Sequence, residues 1–372
     1  MRIYKNFRSF PRRLNSIKKI TLIQFKNYSA ASFDFTAPIT CITGLNGSGK
    51  TNLLDAVYYL CYTKSYFNSS QQNNVKNGTD GFRLEGTFAD KDAKQEVISC
   101  KWKGGKKEVF ADGSEYEKVT DHIGKYAAVM IAPDDLEIVN DGSEARRKWM
   151  DGILGQTNKQ YLESLMVYQR VLLQRNAWLK MNAGNPPFES VELEYYNNQL
   201  TTHGTYIYNE RKTFIEGFRP LLQRFYEQLS SAKEEVSIAY QSDLLKQSFA
   251  PLLREGLQHD LRMQRTLRGI HKDDLDFSFD NNALKPFGSQ GQKKSYLFAL
   301  KLAQYAYLSQ SLHFLPILLL DDVFEKLDQT RMEALLRIIR SEDFGQVILT
   351  DTHATRVVEA FGSDAPIAFI QL

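Results

Sequence analysis

Gly44-Leu45-Asn46-Gly47-Ser48-Gly49-Lys50-Thr51 is the stretch that decides how this chain of 372 residues is read. Its spacing is G-x-x-x-x-G-K-S/T, the pattern of a phosphate-binding loop. The flanks agree with it. Ile39-Thr40-Cys41-Ile42-Thr43 is short and β-branched and reads as a buried strand, while Asn52 to Leu60 is apolar at helical spacing. A strand, a glycine loop and a helix start, in that order, aim backbone N–H groups and the positive end of a helix dipole at a polyphosphate. Lys50 is expected to reach the terminal phosphates of a nucleoside triphosphate, and the Thr51 hydroxyl to ligate Mg²⁺.

Composition sets the frame around that loop. Hydrophobic residues make up 42% and charged residues 24%, ordinary for a globular protein. The length allows a head domain with a sizeable core and one further subdomain. No apolar run is long enough to span a bilayer, so no membrane partner is expected. Cys41, Cys61 and Cys100 lie far apart without metal-ligand spacing and read as reduced thiols of a cytoplasmic protein. The net charge of +3 does not by itself announce nucleic acid. Residues 1–16 carry Arg2, Lys5, Arg8, Arg12 and Arg13 and no acid. A basic arm on DNA, a disordered extension and an upstream start codon all suit that stretch.

Outward from the loop, Ile20 to Phe25 and Ala31 to Phe35 read as strands around a turn at Asn27-Tyr28. Residues 82–120 read as an antiparallel meander punctuated by Gly104-Gly105 and Asp112-Gly113, and Ala127 to Ala132 as a core strand. After Asp134 the pattern turns helical. Residues 159–180 form one amphipathic stretch. A longer one follows Pro186-Pro187, with Leu193, Tyr196, Leu200, Ile207, Phe214, Phe218, Leu222, Phe225 and Leu229 at three- or four-residue steps. Gly204, Gly217 and Pro220 predict a bend in it, so an antiparallel helical arm is expected. Strands return at Val236 to Tyr240 and Leu275 to Phe279. The expected domains are therefore a head of residues 17–133 and 265–372, discontinuous, with a mainly helical arm of residues 134–264 inserted.

Two more motifs lie near the C-terminal end. Pro316 to Leu320 is an apolar strand that ends in Asp321-Asp322. That arrangement suits Mg²⁺ held by Asp321 and an attacking water oriented or deprotonated by Asp322. About thirty residues upstream, Ser289-Gln290-Gly291-Gln292 opens a helix. Ser289 reads as its N-cap, and Gly291 lets backbone approach a ligand closely. One nucleotide does not need two anion-binding helix starts. A dimer in which each copy's Ser289–Gln292 caps the nucleotide of the other resolves this.

The order of glycine loop, long insertion, S-x-G-Q signature, acidic strand and L-D loop resembles the ABC-type ATPases, and within them the RecF family related to the chromosome-maintenance ATPases. The resemblance runs from about Ile17 to His353. It rests on GLNGSGKTNLLDAVYYL (44–60), APDDLEIV (132–139) followed by Arg146-Arg147, HKDDLDF (271–277), FGSQGQKKSYLFALKLAQ (287–304) and LLLDDVFEKLD (318–328). It implies an α/β fold: an ABC-type ATPase head, with a mixed β-sheet, flanking helices and an antiparallel β lobe, carrying an inserted helical arm.

The resemblance also implies a weak ATPase that uses ATP and Mg²⁺ and dimerises on ATP. Gly44 to Thr51 and, from the partner copy, Ser289 to Gln292 would hold the nucleotide. DNA near single-strand gaps, RecR, RecO and RecA are the implied partners, in replication, repair and the response to DNA damage. Lys101, Lys103, Lys106 and Lys107 cluster at a hairpin, where phosphate contact and a solvated turn both suit. The chain departs from the family's Arg-Ser-x-Arg element with Lys64-Ser65-Tyr66-Phe67 and carries Lys326 where the family often has glutamate. His353 is a candidate switch histidine, and Asp134-Asp135 a candidate counterpart of the glutamine loop. Alternatives are a transporter ATPase subunit, an ATPase-linked nuclease and a scaffold that uses ATP structurally. The stretch after His353 is expected to be too short for the nuclease's acidic domain.

Overall fold

The computed structural model describes residues 13–14, 16–90, 92–184, 190–230, 234–341, 344–362 and 365–372. Residues 1–12, most of the basic N-terminal stretch, lie outside them. The first segment carries β1 (Arg13–Leu14), β2 (Ser16–Phe25), β3 (Tyr28–Asp34), β4 (Ile39–Thr43), α1 (Lys50–Tyr62), β5 (Gly81–Ala89), β6 (Gln95–Lys103), β7 (Lys106–Ala111), β8 (Ser114–Glu115) and β9 (Ala128–Ile131). Next come α2 (Leu136–Asn140), α3 (Ser143–Thr157), α4 (Lys159–Met181), α5 (Val191–Leu229), β10 (Val236–Gln241), α6 (Phe249–Met263), β11 (Asp274–Phe279), β12 (Asn282–Ala283) and α7 (Leu284–Phe287). The chain closes with α8 (Gln290–Leu312), β13 (Phe314–Leu315), β14 (Ile317–Leu320), α9 (Val323–Lys326), α10 (Gln329–Ser341), β15 (Val347–Asp351), α11 (Ala354–Phe361) and β16 (Ile367–Gln371). It divides into two compact units, residues 1–135, 225–233 and 294–372 forming one, and residues 136–224 and 234–293 the other.

The first unit holds two large sheets and the short parallel pair β1–β13. A five-stranded sheet, parallel throughout, has the order β16-β4-β15-β14-β9. A six-stranded antiparallel sheet has the order β3-β2-β5-β6-β7-β8. Helix α1 packs into one core with both. Leu53, Leu54, Val57 and Leu60 meet Ile20, Leu22, Leu84 and Ile98 of the antiparallel sheet and Ile42, Met130, Leu319 and Ile348 of the parallel one. Eleven of its thirteen residues are buried, which explains why its sequence is apolar nearly all round. Parallel pairing puts the C-terminal ends of β4, β14 and β15 side by side, the edge at which α/β sheets bind ligands.

The second unit is built on an α4–α5 hairpin. Asn158 bonds Tyr206 and Glu210, Arg175 bonds Asn197, and Trp178 bonds Glu192. Partner numbers fall as α4 numbers rise, so the helices run antiparallel. Residues 191–229 form one continuous helix, α5, of 39 residues with Pro220 inside it. A proline costs an interior helix about 3 kcal/mol. The buried stripe of Phe214, Phe218, Leu221, Leu222 and Phe225 offsets it at about 1.5–3 kcal/mol per side chain. Gly204 is a close-approach site, since a Cβ there would lie 2.2 Å from the Phe249 ring.

Residues 265–293, read from sequence as head, cluster with this second unit. The reason is strand pairing. β11 pairs antiparallel with β10 from Val236↔Phe279 to Gln241↔Asp274, which carries the segment with residues 236–241. Two sequence motifs meet here. Arg146 clamps Asp274 through Nε at 2.6 Å and Nη2 at 3.0 Å, and Arg147 donates to the Asp273 carbonyl at 2.7 Å. Arg211 joins the buried Asp273 and the Asp151 carboxylate at 2.9 and 2.8 Å.

Candidate nucleotide-binding site

The glycine loop leaves β4 and enters α1 with an open helix start. Gly49, the N-cap, sits at φ 112° and has no side-chain cap. A Cβ at that glycine would lie 2.5 Å from Asn27 Nδ2. The loop is braced from behind by the β2–β3 turn. Asn27 Nδ2 donates to the Ser48 carbonyl at 3.1 Å, Tyr28 Oη to the Gly49 carbonyl at 3.1 Å, and Asn52 Nδ2 to Asn27 Oδ1 at 2.8 Å. Burial pushes the Tyr28 hydroxyl up to about 12, so it stays a donor. These bracing residues were not singled out as site residues from sequence. The only signal was that Asn27-Tyr28 occupies a turn.

Inside the loop, Lys50 is buried and its Nζ donates to the Gly44 and Leu45 carbonyls at 2.9 and 3.2 Å. Ser48 Oγ is buried with no hydrogen-bond partner among the described residues, unlike most such groups in folded proteins. Thr51 Oγ1 lies 3.0 Å from each oxygen of Asp321. Asn46 and Gly47 complete the turn, with Gly47 at φ 82°. An unpartnered hydroxyl, an ammonium resting on loop carbonyls and uncommitted N–H groups at a helix start fit a polyphosphate. A hydroxyl beside a carboxylate fits Mg²⁺, which usually takes only one or two protein oxygens and completes its shell with phosphate and water.

The acidic strand end is organised by Thr350, which sequence reading did not assign. The register Leu320↔Leu349 brings Thr350 beside both aspartates. Its Oγ1 accepts from the Asp322 N–H at 2.9 Å and donates toward Asp321 at 2.9 Å and Asp322 at 3.3 Å. Asp322 is held at φ 47°, a strained conformation for a non-glycine residue. Burial, aided by the neighbouring Asp322 charge, pushes the Asp321 carboxyl up to about 6 against the hydrogen bonds from Thr350 and Thr51. A divalent cation would relieve that buried charge. Gly44 to Thr51, Asp321 and Asp322 thus form one cluster in the first unit.

Ser289–Gln292 belong to the second unit and form a capping box. Ser289 N–H donates to Gln292 Oε1 at 2.8 Å, and Gln292 N–H to Ser289 Oγ at 3.2 Å. Gln292 Nε2 also donates to Glu234 at 2.8 Å. Ser289 and Gln290 are exposed, and the Ser289 hydroxyl keeps its own proton to donate. Gly291 sits in the first turn.

The remaining candidate residues have the following partners. Asp135 accepts the Ala132 N–H at 2.7 Å and pairs with Lys301 at 3.0 Å inside the core, so its carboxylate is committed there. His353 Nδ1 meets Thr352 Oγ1 at 2.8 Å and Arg356 at 3.2 Å. At the lysine hairpin, Lys103 pairs with Asp80, Lys106 with Glu108, and Lys107 donates to Thr63, while Lys101 lies over the Phe110 ring. The first two pairs are exposed and weak; Lys107 is tied down.

Residues 16–369 match the model of the RecF/RecN/SMC N-terminal domain. A DNA replication and repair protein RecF of Flavobacterium johnsoniae is 42% identical over 340 residues, which cover 91% of this chain and 95% of that one. The Bacteroides fragilis protein of the same name is 38% identical, covering 94% of each. Two solved structures of the recombination mediator RecF of the RecFOR pathway, one with ATP, superpose with a TM-score of 0.85 at 26% identity; the ATP-bound one covers 94% of this chain and 95% of its own. An Smc head from Pyrococcus furiosus shares the fold at a TM-score of 0.55 and 15% identity. Among the described residues no helix is long and apolar enough to cross a membrane. The chain belongs to the RecF family of DNA replication and repair proteins.

Proposed function

We propose that this chain is an ATP-gated recombination mediator whose nucleotide site is completed by a second copy of itself. The observation that carries this reading is the Thr51 hydroxyl standing 3.0 Å from both Asp321 oxygens at the end of a parallel sheet, directly after a glycine loop. Lys50 and the N–H groups of Gly47 to Thr51 would bind the phosphates of ATP. Thr51 and Asp321 would hold Mg²⁺, which would supply neutralisation of phosphate charge. Asp322, fixed through its backbone by Thr350, would orient the attacking water or take its proton. Ser289–Gln292 of a second copy would donate to the γ-phosphate. Closure then depends on ATP, and hydrolysis loosens it.

Membership of the family supports DNA as the ligand of the closed dimer, at duplex beside single-strand gaps. It also supports RecR and RecO as companions, RecA loading as the outcome, and the cytoplasm as the place. ATP turnover measured with and without gapped DNA tests the reading. The expected result is slow turnover that Asp322→Asn abolishes while ATP binding persists. DNA binding is expected to need ATP and to weaken steeply with salt, because phosphate contacts release counterions. Turnover unaffected by Asp322→Asn, or DNA binding indifferent to both ATP and salt, contradicts it.

A further inference from the structure

Beneath the nucleotide site runs a chain of buried polar contacts that the chemistry above does not use. It starts on α1 at Asp55, which is fully buried. Asp55 accepts Ser65 Oγ and the Tyr66 N–H, both at 2.6 Å, and pairs with Lys26 at 2.5 Å. The segment after α1 is thereby tied back onto the helix that begins with Lys50 and Thr51. Tyr66 also stands edge-on to Tyr58 of α1, with ring centroids 4.9 Å apart. Its hydroxyl donates to Asp135 and accepts from Lys301 Nζ at 2.7 Å, and Lys301 pairs with Asp135 at 3.0 Å.

The two charged members occupy informative places in the chain. Asp135 is the last residue of the first unit before the chain crosses into the second. Lys301 lies on α8, the helix whose first turn carries Gln290 to Gln292. Both are almost wholly buried, at 4% and 3% side-chain exposure. A buried ion pair is stable only while its remaining hydrogen bonds are satisfied, and members of such a network respond together. Burial and the Asp135 carboxylate keep the Tyr66 hydroxyl protonated, so it remains the bridging donor.

We propose that Tyr66 is a positioning residue: its hydroxyl keys the phosphate-loop helix to the Asp135–Lys301 pair, so that occupancy of the loop is passed to the helix that opens with the signature. The inference rests on the ATP-dimer reading above. It places the coupling in Tyr66 of the segment Lys64 to Phe67, which follows the phosphate-loop helix.

Tyr66→Phe removes only the hydroxyl and keeps the ring contacts. ATP affinity by fluorescence titration is expected to stay within about twofold of the unsubstituted chain, as for independent sites. The concentration for half-maximal ATP-dependent dimerisation, read by light scattering, is expected to rise at least about fivefold. Dimerisation unchanged, or ATP affinity and dimerisation lost in equal measure, overturns the proposal. If the unsubstituted chain binds ATP yet stays monomeric, the dimer reading falls. The coupling is then judged by hydrogen exchange at residues 290–297: ATP must slow it in the unsubstituted chain and leave it unchanged in Tyr66→Phe, and equal slowing in both refutes it.

Discussion

The glycine loop with its aspartates and the signature Ser289–Gln292 are both proposed anion-binding arrangements at helix starts, and they are built in opposite ways. The first is buried and cross-braced. Lys50 and Asp321 are 4% exposed, and its parts come from β4, α1, β14 and β15 and from the β2–β3 turn. The second is exposed and largely local, a reciprocal pair of bonds between residues three apart with one tie to Glu234. A braced, buried cluster can select and hold a ligand by itself. A short exposed cap has few donors and no enclosing walls, so it contributes to binding when another surface already presents the phosphate. On the proposed reading, the first supplies affinity and the second closure.

The largest effect that would break this division is at the loop. Lys50→Met should lower ATP affinity on the order of 100-fold, since charge-assisted bonds to phosphate are worth about 1.5–3 kcal/mol each; nucleotide titration reads it. Next in size is Ser289→Arg. It should abolish ATP-dependent dimerisation by sizing while ATP affinity stays within about twofold. Loss of both would merge the two regions into one site.

A smaller effect concerns Asp321. Its carboxyl is held near 6, above the usual carboxylate range, so the folded chain binds that proton more tightly than the unfolded one. Ligand-free stability from this group therefore falls as pH rises from about 4 to 6, and the full penalty stands above 6. Asp321→Asn should stabilise the ligand-free protein by about 1–2 kcal/mol at pH 7.5 and by less at pH 4.5, while turnover is lost. Denaturant unfolding at the two pH values checks the sign. The smallest is Gln292→Ala, which removes half of the capping box and should lower stability by about 1 kcal/mol or less, with ATP affinity unmoved.

What the sequence carried depends on how local each feature is. β4, the loop and α1 are contiguous, and β14 with Asp321-Asp322 is a short apolar run with a chemical end, so strand, loop and acids could be read directly. Ser289 as an N-cap was equally local. Thr350 was not legible as a site residue, because its role comes from a strand register with β14 across 28 positions. Asp135 and Lys301 look like surface charges one at a time; only the fold brings residues 166 positions apart into a buried pair. Pro220 carries a real local penalty, and the helix continues through it with Phe214, Phe218, Leu222 and Phe225, all on the apolar stripe read from sequence, buried.

The central claim is that one copy's loop and aspartates are closed by another copy's signature, and it is tested most directly by the mass of the protein in solution with no nucleotide, with ADP and with ATP. The account predicts a monomer in the first two conditions and a dimer with ATP that Ser289→Arg prevents. A monomer in all three conditions, or a dimer that forms equally well without ATP, would contradict it.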